Sequence, residues 1–463
     1  MRYLANILLS IGLVGCVAGP DYTRPDLPVA SDFRTKGGTE PISSQWWLAY
    51  GDPRLNQLQL EALSKNLSIE AALARVDQAR AALREQGAST RPSLDAEGSI
   101  GRAMQSKNSG VGILSRIIPD YPRTITDVSV GFGSTWDLDL AGGHKRRGEI
   151  ARAELAQSEW GVAAARVAVS ADLADAYWGL RGAQIRQALY ARLVALVQRQ
   201  HKIVVGRRQL GAASEQEVVS SEADLIQLRA GQPLIDADVG RYENTIAALL
   251  GKSASQLMPW PPESFALAEV PNPETGLPAD LVSRRPDVII AEQRLIAANA
   301  GVGLAVSEYY PKLSLSGLFG IRGARLGDVG SADSITAFGG VGLRWRLFDF
   351  GRIDAEVARA KGRTREALAE YRQAALVAST DVEQCFVTLN GARQAMAFMD
   401  DAMKRASRDV DIEERAVSLG GRSLQSLLTH QRQRAELEIQ LLNARETGLR
   451  ASVACYRALG VVP

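Results

Sequence analysis

The sequence predicts a mainly α fold joined to a membrane β-barrel, built as a duplicated unit of long antiparallel coiled-coil helices with two β-hairpins per chain. Three observations predict it. Residues 136–251 align with 345–460 at a constant offset of 209, placing Trp136 on Trp345, Gly142 on Gly351, Leu210-Gly211 on Leu419-Gly420 and Ser214 on Ser423. Such self-similarity is the mark of one architecture made twice. Each copy holds 68 residues without proline, rich in Ala, Arg, Glu, Gln and Leu, which as one helix would run about 100 Å. Before each long segment the hydrophobic period becomes 2, over stretches of about ten residues that match the height of a bilayer.

In chain order, Arg2 precedes an apolar stretch from Tyr3 to Val14 that is too short to span a bilayer and reads as a secretory signal, residues 1–15. Residues 16–51 form an extended segment with Pro20, Pro25, Pro28 and Pro41. The first repeat, 52–251, opens with Asp52-Pro53, an N-cap followed by a proline in the first helical turn. A break near Asn66 is expected within that helix, which ends at Arg91-Pro92. A hairpin is expected over 92–140, and helices over 142–209 and 215–250, with a kink at Pro233. Residues 252–280 form a Pro-rich linker. The second repeat, 281–463, has a hairpin over 311–350 and helices over 351–418 and 424–459. Upstream of the hairpins the register changes by ten, Arg75 meeting Arg294 and Pro92 meeting Pro311, so the extra residues belong in a loop between Gly98 and Trp136.

The alternation assigns faces. Val128, Phe132 and Trp136 with Val341, Leu343 and Trp345 are the expected lipid side, and Asp137, Asp139, Arg344 and Arg346 the expected lumen. Four strands cannot close a barrel alone, so the barrel must be shared between chains. Beyond the signal, no segment approaches the apolar length of a transmembrane helix. Each long helix ends at a glycine turn, with Gly211 or Gly420 at the left-handed position and Ser214 or Ser423 capping the return helix.

Net charge is +2, which gives no reason to expect a nucleic-acid partner. His144, His201 and His430 show no metal-ligand spacing and no nearby nucleophile, so neither metal, cofactor nor catalytic residue is expected. Gly251-Lys252-Ser253 lacks both the first glycine and the preceding strand of a phosphate loop. Cys385 lies 35 residues before Gly420 and Cys455 lies 35 after it, so both sit at one height of an antiparallel hairpin. A disulfide forms only if the Cα atoms approach within about 7 Å, and two buried thiols are the favoured state.

Several motifs together resemble the TolC/OprM-type outer membrane factors, in particular the NodT-like efflux lipoprotein branch. They are Gly19-Pro20-Asp21-Tyr22-x-Arg24-Pro25, Trp46-Trp47 ahead of Asp52-Pro53-x-Leu55, Leu281-x-x-Arg284-Arg285-Pro286-Asp287 through Tyr310-Pro311-x-Leu313, and Leu347-Phe348-Asp349-x-Gly351-Arg352. Leu13-Val14-Gly15-Cys16 looks like a lipobox, which makes Cys16 the lipidated first residue, sorted to outer membrane lipid. The resemblance implies a homotrimer with a 12-stranded barrel and an α-helical periplasmic tunnel. It would receive cargo from an inner-membrane RND or ABC-type pump through a periplasmic adaptor (membrane fusion) protein. The tips at Gly211, Ser214, Gly420 and Ser423 would dock the adaptor. Relatives often carry acidic residues past the second tip; here stand Ser426 and Thr429, with Glu217 past the first, and the periplasmic gate is expected to close by packing of Leu424, Leu427 and Leu428. The alternatives are a non-conducting lipid-anchored coiled-coil scaffold and a type I secretion duct.

Overall fold

A computed structural model describes residues 17–27, 32–35, 37–38, 42–122, 124–256, 267–274, 284–324, 327 and 330–463. The expected signal segment and Cys16 lie outside these residues. In chain order the elements are α1 Pro53–Lys65, α2 Leu67–Ala88, β1 Ser93–Met104, α3 Gly110–Ile117, β2 Thr124–Leu138, α4 Gly143–Gln209, α5 Glu215–Leu249, α6 Pro286–Ser307, β3 Lys312–Gly323, β4 Ile335–Arg344, α7 Arg352–Ser418 and α8 Leu424–Ala458. The repeats agree in length as well as position: α4 and α7 have 67 residues each, α5 and α8 have 35 each. Two compact units form, each from segments of both repeats: Met1–Pro25, Val76–Gln157 and Glu292–Glu370; and Asp26–Arg75, Ser158–Ala291 and Tyr371–Pro463.

The first unit contains the sheet. Its order is β1-β2-β3-β4 and every pair is antiparallel, so β2 and β3 join the two hairpins while β1 and β4 remain edges. The inserted ten residues of the first hairpin hold a short helix, α3, where a loop was expected. Ser109 explains it locally: its hydroxyl accepts from Gly112 N at 3.1 Å, capping a stretch whose glycines hide its helical character. A second difference concerns α6, whose 22 residues are long and apolar enough to cross a membrane by length and composition. Packing accounts for part of that character, since Val288, Ala291, Leu295, Ala300 and Val302 are buried within the protein.

The second unit is held by an aromatic core. Trp46 stacks on Tyr456 with centroids 4.8 Å apart, and Tyr50 packs against Trp178 at 5.3 Å while its hydroxyl shares a 2.6 Å hydrogen bond with Ser452. This is the structural reason for Trp46-Trp47: both rings are buried in the main hydrophobic cluster. Asp52 does two jobs there. One carboxylate oxygen accepts from Arg54 N and Leu55 N, starting α1, and the other accepts from the Tyr177 hydroxyl at 2.7 Å. Asn66 ends α1 and caps α2, accepting from Ser68 N at 2.9 Å and donating to Leu249 O at 2.8 Å. α5 runs through Pro233 without interruption.

Cys385 and Cys455 are joined by a disulfide with Cα atoms 5.1 Å apart, not left as two thiols. Sequence spacing set their common height; the rotation of α7 and α8, which turns the two side chains toward each other, is a property of packing that spacing does not contain.

Candidate functional site

The sheet register sorts side chains onto two faces, because residues directly opposite in an antiparallel ladder point the same way. Even residues of β1 and β2 share a face with odd residues of β3 and β4. That face carries Leu94, Ile100, Val130, Phe132, Trp136, Phe319, Val341 and Leu343 across all four strands, and Val128 is its one buried member among the expected lipid-side residues. The other face carries Asp95, Glu97, Asp127, Asp137, Lys312, Arg322 and Arg344, with Leu318 opposite Phe338 as an apolar exception. Arg322 makes a bidentate pair with Asp127 across β2 and β3, at 2.8 and 3.1 Å.

Three expected wall residues lie past the strand ends, because the alternation continues in sequence after the ladder has stopped. β2 ends at Leu138, and Asp139 instead accepts from Lys145 N at 3.1 Å in the first turn of α4. β4 ends at Arg344, leaving Trp345 and Arg346 beyond it. Arg346 pairs with Glu308 at 3.6 Å. The two tryptophans close equivalent junctions: Trp136 Nε1 donates to Thr90 O and Trp345 Nε1 donates to Tyr309 O, both at 2.9 Å. Each bond ties the foot of one strand to the chain entering its partner.

Sequence reasoning missed Arg146. It is 2% exposed, and its guanidinium donates to Ala18 O and Gly19 O, each at 3.1 Å, and pairs with Asp21 at 3.0 Å and Glu149 at 2.7 Å. Ala18 N donates to Ala141 O at 2.9 Å, Asn299 holds Pro20 O, and Glu292 accepts from both Tyr22 and Arg24. Residues 17–24 are therefore a strap laid on α4 and α6. Gly303 permits it, since a Cβ there would sit 2.7 Å from Ala18 O. The Gly19–Arg24 motif was the only signal, and it named the strap without its seat.

At the hairpin tips Gly211 and Gly420 have φ of +76° and +74°, the left-handed conformation that glycine adopts without strain. Ala212 N bonds to Arg207 O at 2.8 Å and Gly421 N to Ala416 O at 2.9 Å, closing both helices in the same way. Ser214 accepts from Glu217 N, and Glu217 accepts in return from Ser214 N at 2.7 Å, a reciprocal capping box. The hydrogen bonds from Ser214 hold the Glu217 carboxyl below its ordinary value. Ser423 caps α8 by accepting from Ser426 N at 3.1 Å. Arg207 ties the tips together, donating to Ala212 O at 2.7 Å and Gln425 Oε1 at 2.8 Å. The leucines before the two glycines, Leu210 and Leu419, are 85% and 86% exposed.

Of the expected gate residues, Ser426 donates its hydroxyl to the buried Glu413, and Thr429 donates to Gln425 O at 3.0 Å. Leu428 is fully buried within its own chain, whereas Leu424 is 41% exposed. Two of the three histidines have structural partners, His201 meeting Ser221 at 2.8 Å and His430 meeting Asp409 at 2.6 Å, while the buried Nδ1 of His144 meets none among the described residues. Lys252 pairs with Glu61 at 2.6 Å, so it serves the end of α5 rather than a phosphate.

A four-stranded sheet with one apolar face and two open edges, joined to helix pairs of 67 and 35 residues, defines the subunit of an outer membrane channel with a helical tunnel. The family model described as outer membrane efflux protein matches residues 58–252 and 277–461, and the chain belongs to that family. The pyoverdine export outer membrane protein OpmQ of Pseudomonas aeruginosa is 27% identical over 470 residues, covering 99% of this chain and 97% of that protein. Nodulation protein T of Rhizobium leguminosarum bv. trifolii is 27% identical over 444 residues, covering 94% and 92%. Among solved structures, the outer-membrane channel OprN superposes with a TM-score of 0.82 at 27% identity, covering 97% of this chain and 100% of that one. The Campylobacter jejuni CmeC outer membrane channel shares the fold, with a TM-score of 0.86 at 21% identity, covering 96% and 95%.

Proposed function

We propose that three copies of this chain form the passive exit channel of a tripartite efflux system. A shared 12-stranded barrel sits in the outer membrane, and the helices continue as a tunnel across the periplasm. The observation that carries this reading is the sheet: one face is apolar across all four strands, while β1 and β4 leave open edges. An unpaired edge in lipid costs several kcal/mol per backbone group, and about eight strands is the smallest closed barrel. Pairing β4 of each copy with β1 of the next removes every edge.

Cargo arrives from an RND or ABC-type inner-membrane pump through a periplasmic adaptor that docks the tips around Gly211, Ser214, Gly420 and Ser423. The exposed Leu210 and Leu419 supply an apolar patch on each tip. Cys16 carries the lipid, and the strap seated on Arg146 fixes where it enters the membrane. Two measurements test the reading. The detergent-purified protein should be a trimer that gives discrete conductance steps in planar bilayers; a monomer without pores would sink the channel. Ser423→Asp keeps an N-capping side chain and adds charge at the tip, so it should assemble normally yet export poorly. Normal export by that variant removes the second tip from docking.

A further inference from the structure

Where the sheet meets the helices, a cavity of about 590 Å³ is lined by six cationic side chains, Arg147, Lys312, Arg346, Arg352, Arg359 and Arg363. Two carboxylates, Glu308 and Glu356, share that lining, which leaves an excess of four positive charges. Glu308 is occupied by Lys312 and Arg346, and Glu356 by Arg352. Arg147, Arg359 and Arg363 make no ion pair with any described residue.

Two observations say which way the cluster faces. On α6 the cavity takes Ala297, Gly301, Leu304 and Ala305, with Glu308 just past its end, while the strap takes Glu292, Asn299 and Gly303. At 3.6 residues per turn these sets fall on opposite sides of the helix. Lys312 lies directly opposite Arg344 on the polar face of the sheet, and both bound an adjoining cavity with Glu308 and Arg147. The cluster therefore continues the polar face and points away from the strap.

The fold does not require five of these six charges, because the first repeat carries other residues at the equivalent positions. At the repeat offset of 209, Arg352, Arg359, Arg363 and Arg346 correspond to Gly143, Ile150, Glu154 and Asp137, and at 219 Lys312 corresponds to Ser93. Small residues, Ala297, Ala298, Gly301 and Ala305, floor the cavity and leave the guanidinium groups room to meet a ligand.

We propose that this cluster is an anion site in the wall of the duct, taking solutes that carry phosphate, sulfonate or several carboxylates and making the junction an anion-selective collar. The inference rests on the channel reading above. Guanidinium forks match oxyanions in a bidentate manner, and rings of Arg and Lys select anions in pores. Three copies around one axis would reinforce the field, which salt would screen over about 10 Å at 0.1 M.

The test uses the full-length detergent-purified oligomer and pyranine, a trisulfonate dye, with binding read by fluorescence anisotropy and pore block read in planar bilayers. The double variant Arg359→Gln/Arg363→Gln should weaken dye binding about tenfold or more, the scale of one lost charge-assisted contact. Lys361→Gln also removes a positive charge from α7, but that side chain does not line the cavity, so it should change nothing. Absence of dye binding to the wild type, or equal weakening by Lys361→Gln, overturns the site. Binding of phosphatidylglycerol vesicles in preference to the dye would make it a lipid headgroup site and overturn its place in the duct. Current blocked by the dye in the wild type and less in the double variant supports both readings; current indifferent to bound dye overturns the collar alone. Dye binding with no conductance in any condition fails the channel reading and leaves an anion site without a duct.

Discussion

Arg146→Gln should release the strap. Of the four contacts of the guanidinium, those to Ala18 O and Gly19 O, both at 3.1 Å, hold the strap backbone, and each hydrogen bond from a charged donor contributes about 1.5–3 kcal/mol. The Asp21 carboxylate is 88% exposed and adds less than about 1 kcal/mol. Loss of the two carbonyl contacts therefore favours strap opening by about 3–6 kcal/mol, or roughly two to four decades in the opening equilibrium. Hydrogen exchange at Ala18 reads it directly, since that N–H donates to Ala141 O at 2.9 Å and is freed when the strap lifts. Asp21→Asn is the control and should alter exchange by less than about tenfold. Unchanged protection of Ala18 in Arg146→Gln, or equal loss in Asp21→Asn, would refute the assignment of Arg146 as the seat.

Replacing Cys385 and Cys455 by serine opens a 70-residue loop and should cost about 4 kcal/mol in the chain-entropy account, seen as a lower denaturation midpoint; alkylation of both wild-type thiols without reductant would deny the bond. The repeat-related glycines Gly182 and Gly391 should part company: a Cβ at Gly182 meets the Glu446 carboxylate at 2.4 Å, whereas Gly391 has open space. Gly182→Ala should thus destabilise by about 1–3 kcal/mol and Gly391→Ala stabilise by about 0.5–1 kcal/mol in thermal melts, and equal effects would contradict the packing. The depressed carboxyl of Glu217 contributes stability that is present above its unfolded value and lost as pH falls through the lower folded one, so the first tip should fray in acid. Glu217→Gln should flatten that acid dependence of exchange around Ser214, and an unaltered profile would assign the fraying to another group.

The sequence determined most features that local chemistry controls, the Ser109-capped α3 being the exception. Gly211 and Gly420 marked the tips because only glycine adopts φ near +75° without strain, Ser214 and Ser423 marked the helix starts, and a gap-free repeat gave α4 and α7 equal lengths. Alternation in β2 and β4 identified an apolar and a polar face, since period 2 is a property of the strand itself. What alternation could not supply was where pairing stops, so Asp139, Trp345 and Arg346 were read as wall residues though the ladder ends before them. Tertiary structure alone decided the rest, because it depends on helix rotation and on approaches between residues far apart in the chain. It joined Cys385 to Cys455, buried Leu428 inside its own hairpin, brought Arg146 under the strap, and gathered Arg147, Lys312, Arg359 and Arg363 from three segments into one cavity.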